Sequence, residues 1–311
     1  MASIRVVALL LIAFVLAACT TPPGALELQA RNFDGAIQEA TASLERGNLS
    51  GREQAVVHVV RGAAYLFKRQ YELALMDFTR SVELDPSSDM AYSNIGAIYL
   101  LTNRPKQAIG ALDQAIAINN RDPNYYSNRG VAHRRDGQYD RAISDFTEAI
   151  RQDPNNVPAY QGRALSHSVQ GRGEQALSDA ETLVRIAPND PRSYWSRCGV
   201  RLRLGKLQEA LPDCEKTVSL QPGNPEAMRD RAYILLKLQR YGEAATGYDA
   251  SLRLEPMSPH GLFGRGSARI ALGNMVAGTA DIEAARARDS AIADHFDDLT
   301  TASLGTELNL R

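Results

Sequence analysis

The 311-residue sequence predicts an all-α solenoid of about seven 34-residue helix–turn–helix units. Three observations carry that prediction. A small residue recurs at Gly62, Gly96, Gly130, Ala164, Cys198, Ala232 and Gly266, always 34 apart. A second column runs Ala74, Ala108, Ala142, Ala176, Ala210, Ala244 and Gly278, and a third runs Phe78, Leu112, Phe146, Ala180, Cys214, Tyr248 and Ile282, both at the same step of 34. Pro86, Pro154, Pro188, Pro222 and Pro256 fall at multiples of that step, with Asn120 in the one vacancy. The columns stay in phase without insertion from 55 to 289, so the two domains that such a length would suggest by default give way to one repeated unit.

Composition narrows the function classes. Lys+Arg 35 against Asp+Glu 36 leaves a net charge of −1, without the broad basic field that nucleic-acid binding uses, so no nucleic-acid partner is expected. A hydrophobic fraction of 44% excludes wholesale disorder. Three cysteines are too few for a disulfide scaffold and have no zinc-type spacing.

Along the chain, residues 1–18 read as a signal peptide. Arg5 is the only charge before an apolar run from Val6 to Leu16, too short to span a bilayer but suited to a signal-peptide core. The run closes on Leu16-Ala17-Ala18-Cys19, which resembles the bacterial lipobox. That resemblance implies lipidation of Cys19 as the first mature residue, with 19–30 as a Pro-containing tether. Thr20 is not the Asp that retains such lipoproteins in the inner membrane, so the implied location is the bacterial outer membrane, lipid-anchored and facing the periplasm. Residues 31–54 read as an N-terminal cap, in which 32–45 resembles a second helix whose first helix is missing. Residues 55–289 hold the seven repeats and 290–311 a C-terminal capping segment, since a solenoid exposes an apolar face at each end.

Each repeat reads as two short helices. In the third, 125–135 is followed by Gly137 as a breaker, and the amphipathic stretch 139–150 ends at Asp153-Pro154. A Gly or Ala on one helix lets its antiparallel partner approach closely, and the aromatic column fills the space beside it. Pro212 falls inside a helix of the fifth repeat, which is expected to be kinked or to start late. The stretch "YYSNRGVAHRRDGQYDRAISDFTEAIRQDP" is similar to the tetratricopeptide repeat, a superhelical interaction scaffold whose 34-residue signature pairs these small and aromatic positions with a closing Pro. The resemblance specifies the fold closely and the function loosely.

Ahead of each small-column residue stands Arg61, Ile95, Arg129, Arg163, Arg197, Arg231 or Arg265, and sixteen residues later Asp77, Ala111, Asp145, Asp179, Asp213, Gly247 or Asp281. This pairing predicts partly buried Arg–carboxylate bridges between facing helices. Arg231 lacks its Asp, so it either faces a neighbouring repeat or reaches a ligand.

A search for chemistry finds none. His58, His133, His167, His260 and His295 have no ligand spacing, no G-x-S-x-G occurs, and Gly171-Arg172-Gly173 lies in a turn between helices rather than after a strand. An enzyme is not expected, nor is a metal or cofactor. Cys198 and Cys214 occupy facing columns of one repeat; either they form a disulfide or they remain reduced, small and apolar.

The family resemblance implies a concave groove lined by first helices, with protein or peptide partners. One groove column ends in Trp195, Arg229 and Phe263, with Arg192 and Tyr233 nearby, residue types that dominate interfaces. Trp195 either anchors a partner there or packs between repeats. Asn94 and Asn128 stand where the family often carries a peptide-contacting Asn, though the Lys/Arg neighbours of its carboxylate clamp are missing. Three functions follow: a lipid-anchored periplasmic adaptor for cell-envelope assembly (peptidoglycan, pilus or secretion), a structural subunit of an outer-membrane complex, and, least favoured, an enzyme with a dispersed site.

Overall fold

A computed structural model describes residues 21–296; Cys19 and the signal peptide, and the capping segment beyond Phe296, lie outside the described residues. Everything regular among the described residues is helical. The chain divides into two compact blocks, which meet in sequence after Asn156.

The first block holds α1 (Ala25–Gln29), α2 (Phe33–Glu45), α3 (Gly51–Phe67), α4 (Tyr71–Leu84), α5 (Asp89–Leu101), α6 (Pro105–Ile118), α7 (Pro123–Arg135) and α8 (Tyr139–Gln152). The second holds α9 (Val157–Val169), α10 (Gly173–Ile186), α11 (Pro191–Arg203), α12 (Leu207–Leu220), α13 (Pro225–Lys237), α14 (Tyr241–Leu254), α15 (Pro259–Ala271), α16 (Met275–Arg286) and α17 (Ile292–His295). From α3 to α16 the helices pack as consecutive pairs, each pair one 34-residue repeat, and within each block successive pairs stack into a solenoid of helix–turn–helix units.

Local chemistry sets the helix ends. Asp122, Asp190, Asn224 and Ser258 precede a Pro at the first helical position, and each accepts a backbone N–H of the opening turn, satisfying a donor the helix cannot. Between the helices of every repeat one residue takes the left-handed conformation: Arg69, Asn103, Gly137, Gly171, Gly205, Gln239 and Gly273. The next residue then donates back across the turn, as Gln138 does to the His133 carbonyl at 2.8 Å and Arg104 to that of Tyr99 at 2.7 Å. That bond closes a Schellman motif and occupies carbonyls the helix end leaves open.

The columns of small and large residues meet as their spacing implies. A methyl group on Gly130 would lie 2.7 Å from the Phe146 ring, and one on Gly96 2.7 Å from Leu112, so these glycines are the surface on which the facing side chain rests. Phe78, Leu112 and Phe146 are fully buried.

Two features differ from the sequence reading. Part of the expected tether is folded: α1 packs on α3 and buries Ala25 and Leu28, so a one-and-a-half-turn helix stands where a first helix was judged missing. Of the two outcomes expected of Pro212, a kink or a late start, the late start does not occur: helix α12 opens at Leu207, 34 residues after Gly173 opens α10, and carries Pro212 in its interior. Proline there cannot donate to the Gln208 carbonyl and crowds the preceding turn, while Ala210, Leu211 and Cys214 are buried and hold the helix in place.

Candidate peptide-binding site

The Arg–Asp columns form five bidentate bridges. Arg61, Arg129, Arg163, Arg197 and Arg265 each direct Nε and Nη2 at the two oxygens of Asp77, Asp145, Asp179, Asp213 and Asp281, at 2.6–2.9 Å. Those aspartates are nearly buried, which makes the pairing obligatory. At Asp77 burial pushes the carboxyl up, but hydrogen bonds from Arg61 and His58 outweigh it and hold it below the usual carboxylate range. A second register joins adjacent repeats: Arg129 also reaches Asp113, and Arg265 reaches Asp249, each at 2.7 Å. Arg231, without an Asp in its own repeat, takes this second register alone and meets Glu215 of the preceding repeat at 3.4 Å. The first of its two alternatives holds.

In the fifth repeat Cys198 and Cys214 are bonded to each other, with Cα atoms 5.5 Å apart. They occupy the positions where Gly130 meets Phe146 two repeats earlier, so the close helix approach made for a Gly–aromatic contact accommodates a disulfide's span.

In the second block the first helices α11, α13 and α15 touch in succession, and α17 lies against α15. The predicted binding residues stand on this first-helix face, but most have internal partners. Trp195 is 7% exposed and its indole N–H donates to Asp230 Oδ2 at 2.7 Å, so it packs between repeats rather than projecting from them. Arg229 is half-buried and ion-paired with Glu255. Arg192 folds back on Asp190, at 2.5–3.0 Å; burial pulls the Asp190 carboxyl up, and the Arg192 bonds bring it below its ordinary value. Trp195, Arg229 and Phe263 therefore do not form an open aromatic–cation–aromatic line. In the first block Asn94 is buried and donates to the Met90 carbonyl at 2.9 Å, while Asn128 is half-buried. The apolar end of that block is covered as expected, Phe67 stacking on Phe33 of α2 at 4.7 Å.

Phe263 and Tyr233 are brought together by a residue the sequence reading missed. Phe296, just beyond α17, places its ring 4.7 Å from Phe263 and 5.6 Å, edge-on, from Tyr233. Lys237 Nζ lies 5.4 Å from the Tyr233 ring centre, and Arg203, one repeat earlier, donates to Ser168 Oγ at 2.9 Å while burial pulls its guanidinium below the usual value. Among the described residues no cluster of His, Cys, Asp and Glu is arranged to hold a metal, and no helix is long and apolar enough to cross a membrane.

Paired helices, a 34-residue period and a face of first helices define a helical-repeat scaffold. Tetratricopeptide repeat models match residues 123–156, 59–123, 162–225, 199–259 and 229–292, well over half of the sequence. The chain belongs to the tetratricopeptide repeat family. No curated protein matches it significantly. Among solved structures it is similar to a tetratricopeptide repeat protein from Parabacteroides merdae (14% identity, 79% of this chain and 98% of that one, TM-score 0.60). It is also similar to PilF of Pseudomonas aeruginosa (20% identity, 67% and 95%, TM-score 0.59) and to MamA of Desulfovibrio magneticus (22% identity, 54% and 95%, TM-score 0.50). At these identities the likeness is one of fold.

Proposed function

We propose that the protein is a lipid-anchored, non-catalytic adaptor that holds protein or peptide partners on the first-helix face of its repeats. It faces the periplasm from the outer membrane and serves cell-envelope assembly. The repeat array is the observation that carries the scaffold reading: within each block, stacked helix pairs present a face of first-helix side chains. The anchoring rests on Leu16-Ala17-Ala18-Cys19, and the disulfide between Cys198 and Cys214 suits an oxidising compartment.

Two measurements test this. Cys19→Ser is expected to release the protein from membranes and to abolish acylation detected by intact mass; an unmodified mature N-terminus in the unaltered protein would refute the anchor. Affinity capture from solubilised envelopes is expected to recover a partner with the full chain and to lose it with Phe263→Ala, while the melting temperature holds. A second reading, a structural subunit of an outer-membrane complex, is favoured by one feature: Leu272, Met275 and Val276 stand exposed around the α15–α16 turn, at 55%, 56% and 86%. Loss of capture with Val276→Asp but not with Phe263→Ala would decide for it.

A further inference from the structure

The N-terminal end of the first block exposes a residue that every other repeat buries. Helix α1 is followed by a left-handed residue, Arg31 with φ 59°, as α3 is by Arg69 with φ 60°. Counting back five residues from each turn aligns Leu26 with Ala64. Ala64 and its equivalents at each step of 34 up to Ala268 are at most 2% exposed. This position receives the second helix of the repeat before. Ala64 clusters with Ala36 of α2, Ala132 with Ala108 and Leu112 of α6, and Val200 with Ala176 and Ala180 of α10. Leu26 is 62% exposed, since no helix pair stands before it among the described residues.

The length of chain ahead of α1 states what covers this end. The fold begins at Pro22, whose carbonyl accepts the Ala25 N–H at 3.0 Å. Gly24 is buried at φ 81°, and a methyl group on it would lie 2.6 Å from the Ala36 carbonyl oxygen, so the chain is pinned to α2 there. Cys19 stands three residues before Pro22 in the sequence. Whatever path those residues take, the Cα atoms of the two are no more than about 11 Å apart. Leu26 follows within about one helical turn, and the polar layer on each side of a bilayer's hydrocarbon is only about 5–8 Å deep. An acyl group on Cys19 thus brings Leu26 to the lipid boundary. The six residues from Cys19 to Gly24 are too few to supply a covering helix pair.

We propose that the N-terminal end of the first block seats on the lipid surface, with Leu26 entering the headgroup boundary, so that this block stands end-on to the membrane instead of hanging from a flexible tether. The inference rests on the anchor at Cys19 and deepens it. The acyl group holds the chain in the bilayer, and the open repeat face sets the block's orientation on it.

The test uses the full acylated chain in vesicles of phosphatidylethanolamine and phosphatidylglycerol, with or without bromine on the acyl chains as a short-range fluorescence quencher. An environment-sensitive fluorescent amino acid replaces Leu26 or, as a control, Gln114, exposed on α6 two helix pairs further along. Emission from position 26 is expected to fall at least about twofold on bromination, and emission from position 114 to stay unchanged. Quenching at both positions would lay the block on its side. A blue-shifted signal at position 26 that ignores bromination would place a second copy of the chain there. Either result overturns the proposal, as does an unchanged signal at position 26. Hydrogen exchange over α1 in the unaltered chain serves if position 26 does not tolerate the label. It should be at least about tenfold slower on vesicles than in the unacylated Cys19→Ser chain in solution, and Leu26→Asp should remove the difference. Equal exchange on and off vesicles overturns the proposal. Intact mass separates the two readings. An unacylated Cys19 removes the anchor and this inference with it, whereas an acylated chain with position 26 unquenched overturns the inference and leaves the anchor standing.

Discussion

Arg129 shows how one side chain serves both a repeat and its neighbour, bridging Asp145 across the helix pair and Asp113 in the repeat before. Asp145 is almost buried, so removing its partner strands a charge. Arg129→Ala is expected to cost about 3 kcal/mol. Arg151→Ala, which breaks the exposed pair with Glu148, should cost no more than about 0.5 kcal/mol. Chemical denaturation of the two variants checks this, and equal losses would mean the columns are not structural. Two histidines on first helices make stability depend on pH. Burial holds His133 below the ordinary imidazole value, with Asp145 pulling it up and Arg129 down; His167 is lowered by burial in the same way. A lowered folded-state value means the neutral form is favoured by folding. That stability is present above the unfolded value of about 6.5 and is lost as pH falls through the folded one. Melting temperatures should therefore drop between about pH 7 and about pH 5, and less so in a His133→Gln/His167→Gln protein. An identical drop in both would place the titrating groups elsewhere.

At the scale of an element, the turn and the disulfide offer separate tests. The inter-helix turn needs a left-handed residue, and Gln239 adopts it at φ 60° where four other repeats have Gly. Gln239→Gly should stabilise by about 1 kcal/mol and Gly137→Ala destabilise by a similar amount, read from melting curves. Cys198–Cys214 closes a short loop between α11 and α12, with a separation of 16 residues. Its reduction should cost about 3 kcal/mol by the loop-entropy argument. A Cys198→Gly/Cys214→Phe protein, with the Gly–aromatic contact of the third repeat in its place, should melt at the same temperature with or without reductant. The helix pairs, their turns and the bridges were legible in the sequence because each depends on neighbours at a fixed offset, repeated often enough to stand out from chance. The disulfide stayed open for the opposite reason. Helix axes normally lie too far apart for one, and only the glycine-column approach brings these Cα atoms to 5.5 Å.

At the scale of the molecule, sequence columns foretold which helices form one face but not which side chains on it are spent internally. Trp195 is taken by Asp230, which stands in the same column as Asn94 and Asn128, one repeat beyond the tryptophan. Phe296 continues the column of Tyr92, Tyr126, Tyr160, Tyr194, Met228 and Leu262 at the same step of 34, so the signal that places it on the last repeats was present in the sequence. The central claim is that partners dock on the first-helix face. Its most direct measurement is site-specific photo-crosslinking in intact membranes, with the reactive residue placed at Lys237 on that face or at Val276 by the α15–α16 turn, both exposed. The account predicts partner adducts from position 237 and none from position 276. Adducts from position 276 alone would contradict it.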